Sequence, residues 1–63
     1  MIKDYFISIE FYNRDMSKFF SSIVTFDLKK TSVQDVARTA IEDEMGTKDP
    51  SLTVKVLSLN NIS

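Results

Sequence analysis

Glu42, Asp43 and Glu44 are the densest run of ionisable side chains in this 63-residue chain. Carboxylates can do general acid–base work when two of them meet in one geometry. Here they are consecutive on a stretch that reads as helix, so they point in different directions. Only Arg38 and Glu42 have the i,i+4 spacing that brings two helical side chains together. There is no histidine and no cysteine, which removes the usual nucleophile–base pairs, zinc sites and disulfides. Glu42, Asp43 and Asp49 lack the alternating oxygen-ligand spacing of a calcium loop. A single glycine cannot build a phosphate-cradling loop. The residues therefore point to a non-enzymatic chain without metal or cofactor. What remains for the three acids is docking. Near a helix C-terminus they oppose the macrodipole at about 0.3–1 kcal/mol each, and such a patch could serve a basic partner.

Aromatic side chains interleaved with bases could stack single-stranded nucleic acid. Tyr5, Phe6, Phe11, Tyr12, Phe19, Phe20 and Phe26 are flanked by Lys3, Arg14, Lys18 and Lys55. A small domain needs bulky side chains for its core, however, and the formal net charge is −1. Phosphate binding favours a clustered basic excess, and only Lys29 and Lys30 are adjacent. Nucleic acid is thus the second choice of partner. No stretch approaches the roughly 20 apolar residues of a spanning helix, and MIKDYFISIE lacks the apolar core of a signal peptide. With cysteine absent, a cytoplasmic setting is expected.

The elements that carry these residues are organised around Thr31–Gly46, TSVQDVARTAIEDEMG. Val33, Val36, Ala37, Ala40, Ile41 and Met45 recur at three- and four-residue steps, predicting a helix over about 32–45 with one apolar stripe. Thr31 with Gln34, or Ser32 with Asp35, can cap its first turn. Gly46 stands where a left-handed residue ends a helix most cheaply. Ile2–Tyr12 alternates as a strand with Tyr5, Ile7, Ile9 and Phe11 on one face and Phe6, Ser8, Glu10 and Tyr12 on the other. Asn13–Asp15 has turn composition. A second strand is expected over about 19–28 and a third over about 52–59. In the third, the alternation of Leu52, Val54 and Val56 breaks at Leu57, so either a bulge intervenes or both faces are apolar there. Asn60–Ser63 reads as a frayed polar tail.

The fold class is therefore α+β, a single domain over 1–63 of order ββαβ. The helix begins where strand two ends. Strand three thus runs antiparallel to strand one, and a right-handed crossover puts it beside strand one in a sheet of order 2-1-3. This order and the helix stretch resemble the first half of a ubiquitin-like β-grasp domain. The chain ends Asn60-Asn61-Ile62-Ser63 rather than in the di-glycine that a conjugated modifier of that family needs, so conjugation is not expected.

One helix covers one face of a three-stranded sheet. The other face is expected to carry Phe6, Tyr12, Phe19, Ile23, Leu57 and Leu59, more apolar area than a monomer normally leaves to water. Edge-to-edge pairing is a second route to association, and Phe19–Phe26, FFSSIVTF, has no charge and is aggregation-prone if uncovered. The expected role is a small protein-interaction module. It would pair with itself as a homodimer or dock on another protein, as accessory and inhibitory factors of phages and other mobile elements do. The alternatives are a weak nucleic-acid-binding domain using Lys3, Lys18 and Lys55, and a subunit that folds only inside a larger complex.

Overall fold

A computed structural model describes residues 1–63. The order is β1 (Lys3–Tyr12), β2 (Ser17–Phe26), α1 (Val33–Met45) and β3 (Thr53–Asn61). The three strands form one sheet in the order β2-β1-β3, and both neighbours of β1 run antiparallel to it. The α+β architecture and strand order expected from the sequence are those observed.

The central strand follows its alternation. Tyr5, Ile7, Ile9 and Phe11 are buried, the last three in one cluster with the helix residues Ala37 and Ile41, and Ile7, Ile9 and Ile41 are fully enclosed. Ala37, Ile41, Leu52 and Val54 complete the core around Ile7, Ile9 and Phe11. Each fully buried aliphatic side chain contributes about 1.5–3 kcal/mol relative to exposure. At the far end of the sheet Tyr5 and Phe26 pack with ring centres 5.0 Å apart and planes tilted by 43°. Of the two caps open to the helix, Ser32 is the one used: its hydroxyl accepts from Asp35 N–H at 3.1 Å. Gly46 closes the helix with φ 71° and donates its N–H to the Glu42 carbonyl.

Besides one-residue shifts at the starts of β1 and α1, four boundaries differ from the sequence reading, each for a local reason. β2 begins at Ser17, because Asn13 Oδ1 accepts from both Asp15 and Met16 N–H and closes the hairpin tightly. It ends at Phe26, because Asp27 starts a turn: its side chain accepts from Lys29 N–H, and its carbonyl from Lys30 and Thr31. Leu28 consequently lies in that turn and is exposed. β3 begins one residue late, since Leu52 N–H is taken by the Asp49 carbonyl. Its end is not frayed. Asn60 and Asn61 pair with Phe6 and Tyr5, Ile62 N–H donates to the Asp4 carbonyl, and Asp4 N–H donates to Ser63 Oγ.

The break in alternation at Leu57 is a bulge. Ile9 pairs with Val56, but Ser8 pairs with Ser58, leaving Leu57 as the extra residue. Every side chain beyond it changes face.

Candidate functional site

Because of that bulge, Leu59 does not belong to the uncovered face. It stands opposite Ile7 and packs on the core with Val56, which corrects its expected place beside Phe6. Phe6, Tyr12, Phe19, Ile23 and Leu57 remain exposed, Phe19 at 72% and Ile23 at 61%.

The pairing register places these residues unevenly. On the uncovered face Phe6 lies opposite Ile23, and Tyr12 lies diagonal to Phe19 through the Tyr12–Ser17 pair. Between the two couples runs a polar belt. Ser8 and Ser21 bring their hydroxyl oxygens to 3.3 Å, and Ser58 continues the belt across β1. Glu10 sits opposite Lys55, and Tyr12 opposite Thr53. Four of the five exposed apolar groups thus gather on the β1–β2 half, while the β3 half is polar apart from Leu57 at its bulge.

The other face is lopsided too. A 13-residue helix is roughly 20 Å long, whereas a ten-residue strand runs about 33 Å, so α1 cannot cover the whole sheet. Two of its side chains tie it toward β3. Gln34 Nε2 donates to the Val54 carbonyl at 2.7 Å and Arg38 Nη2 to the Leu52 carbonyl at 2.6 Å. Arg38 therefore does not make the expected pair with Glu42. On the β2 side a groove of about 550 Å³ stays open, with Phe20, Val24, Val36 and Ala40 in its floor and Asp35, Asp43 and Glu44 along its helical wall.

The direction of the main-chain groups follows from two bonds. Asn13 N–H donates to the Met16 carbonyl, and the Asp4 carbonyl accepts from Ile62 N–H. In an antiparallel ladder each residue turns both groups to the same neighbour. The odd-numbered residues of β1 therefore face β2 and the even-numbered ones face β3. It follows from the register that Val54 turns its carbonyl to the outer edge of β3, where Gln34 occupies it, and Arg38 takes the carbonyl of Leu52 just before the strand. Phe19, Ser21, Ile23 and Thr25 turn their N–H and C=O groups outward from β2, where no helix side chain meets them.

The charged candidates are scattered. Lys3 and Lys18 pair with Phe26 and Phe11, so they share the helix-side face, whereas Lys55 lies on the opposite one and Arg14 in the hairpin turn. Asp43 and Glu44 line the β2 groove; Glu42 and Asp43 also border a shallow cleft with Thr39, Gly46, Thr47 and Lys48. No group of three or more acidic side chains is close enough to hold a metal ion. Asp49 is occupied elsewhere: it accepts from Ser51 Oγ at 2.6 Å and Ser51 N–H at 2.9 Å, and from Asn13 Nδ2 at 3.3 Å. These bonds, the Ser51 hydroxyl first, hold its carboxyl below the usual range. Asp27 is lowered as well, chiefly by the hydrogen bond from the N-terminal ammonium group. No helix is long and apolar enough to cross a membrane.

Comparison with protein-family models, curated proteins and solved structures finds no match. The likeness to a ubiquitin-like domain rests on element order and the helix stretch alone.

Proposed function

We propose that this chain is a non-enzymatic protein-interaction module of the cytoplasm, an accessory or inhibitory factor that works by association through the β1–β2 half of its sheet. One observation carries the reading: Phe6, Tyr12, Phe19 and Ile23 are all exposed and all lie on that half. Apolar groups gathered on one side of a face, bordered by polar ones, are the usual layout of an association surface. The nucleic-acid alternative draws less support, because Lys3 and Lys18 lie on one face and Lys55 on the other. A phosphate backbone would need them together.

The test is association of the Phe6→Ser/Ile23→Thr double variant, followed by sedimentation. Both side chains are exposed and outside the core, so the expected result is lost association with an unchanged circular dichroism spectrum. An unaltered association state in a folded double variant would overturn the reading.

A further inference from the structure

The two edges of the sheet are treated differently. At the β3 edge the Val54 carbonyl, and that of Leu52 just before the strand, are occupied by Gln34 and Arg38 of the helix, while Val56, Leu59 and Asn61 farther along meet no helix side chain. No helix side chain reaches the outward groups of β2, where only the Ile23 carbonyl has a bond, a long one of 3.4 Å from the neighbouring Ser22 Oγ, and the strand has only one charge, Lys18. Natural sheets blunt their edges with charge, proline, bulges or covering elements. β2 has a regular register with β1 throughout and no proline. Resting on the interaction reading above, we infer that β2 pairs with β2 of a second copy of this chain, antiparallel and edge to edge, about a two-fold axis at Ser21.

The register follows from main-chain geometry and side-chain chemistry. Only the odd-numbered residues of β2 offer outward hydrogen bonds, so hydrogen-bonded pairs must join odd to odd. Centring on Ser21 sets Ser21 opposite Ser21 and Phe19 opposite Ile23 of the second copy. That pairing covers the most exposed apolar side chains of β2 twice over, and aromatic with β-branched is a favourable cross-strand pair. Centring on Ser22 instead would set Phe19 against Thr25 and Ile23 against Ser21, matching only the half-buried Phe20 and Val24 on the helix side and leaving the two most exposed apolar side chains opposite polar ones.

Charge agrees on the helix-side face. Lys18 falls opposite Val24 of the second copy, next to the groove walled by Asp35 and Asp43. An isologous two-fold keeps both helices on the same side of a six-stranded sheet, and the two grooves then adjoin. A specific interface needs roughly 1,000 Å² in total. Phe19 and Ile23, with the groove residues Phe20 and Val24, supply eight apolar side chains from two copies, and the paired main chains add to them.

The chain has no cysteine, so a single introduced thiol reports cleanly. Hydrogen-bonded partners in an antiparallel pair have Cα atoms about 5.5 Å apart, inside the range a disulfide spans. Ser21→Cys and Ser22→Cys are each exposed to a mild oxidant under native conditions, and the solution mass of the wild-type chain is measured alongside. The expected result is a dimeric wild type, near-complete covalent dimer for Ser21→Cys and at least fivefold less for Ser22→Cys. Preferential cross-linking of Ser22→Cys would overturn the register and with it the proposal. A dimer in which neither variant cross-links would overturn edge pairing while leaving the interaction reading intact. A wild type that stays monomeric and variants that do not cross-link would overturn self-pairing altogether.

Discussion

Arg38 donates its guanidinium N–H to the main-chain carbonyl of Leu52 at 2.6 Å. This bond lies one helical turn beyond the equivalent bond from Gln34 to Val54. The helix thus holds the outer edge of β3 with two side chains spaced four residues apart. A hydrogen bond from a charged donor contributes about 1.5–3 kcal/mol and a neutral one about 1. Arg38→Ala should therefore destabilise the fold by about 2 kcal/mol and Gln34→Ala by about 1. Urea unfolding monitored by circular dichroism measures both; equal, negligible losses would show that the edge needs no cover.

The bulge at Leu57 makes a paired prediction. Leu59 packs on the core and Leu57 does not. Leu59→Ala should cost about 2 kcal/mol, the low end for a truncated aliphatic in a core, whereas Leu57→Ala should stay within about 0.5 kcal/mol. If the two losses came out reversed, the strand would be continuous and Leu59 would share a face with Phe6.

The helix ends give a third. Ser32→Ala removes the acceptor for Asp35 N–H and should cost about 1 kcal/mol. Gly46→Ala places a Cβ on a residue at φ 71°, at about 1–2 kcal/mol, although open space surrounds the position. Thermal unfolding should therefore show a loss that is conformational rather than steric, so that Gly46→Asn recovers part of it.

Asp49 supplies a pH dependence. Its carboxyl is lowered in the fold by Ser51 and Asn13, so the unfolded chain binds its proton first as the pH falls. Its stabilising contribution is whole above the unfolded value of about 3.9. It disappears as the pH drops through the depressed folded value. Asp49→Asn should flatten the acid limb of a stability-against-pH curve below about pH 4; a parallel downward shift of the curve at all pH values would assign Asp49 a purely structural role.

Much of this fold is written in the chain. Strict alternation over Tyr5–Phe11 fixes which side of β1 is buried, and the three- and four-residue recurrence from Val33 to Met45 fixes the helical stripe. Gly46 and Ser32 mark its ends because only a few residue types tolerate those backbone states. The boundaries of β2 were less legible. The side chains of Asn13 and Asp27 decide them by bonding to main-chain groups two or three residues away, and an apolar pattern does not register such bonds. Pattern alone left Leu57 ambiguous between a bulge and a doubly apolar strand; the register with Ser8 and Ile9 resolves it and removes Leu59 from the uncovered face. Arg38 misled for a different reason. Spacing offers it Glu42, but a main-chain carbonyl on a neighbouring strand is a partner that no local rule can see. The contrast between the two sheet edges was invisible for the same reason, since it depends on where Gln34 and Arg38 reach.

A second copy of the chain is the proposed occupant of the exposed apolar half of the sheet. Sedimentation equilibrium of the purified chain across a hundredfold range of concentration tests it most directly. The expected species has twice the 7.2 kDa chain mass and is converted to monomer by Ile23→Lys, which puts a charge on the β2 edge. A wild-type mass of 7.2 kDa at every concentration would contradict it.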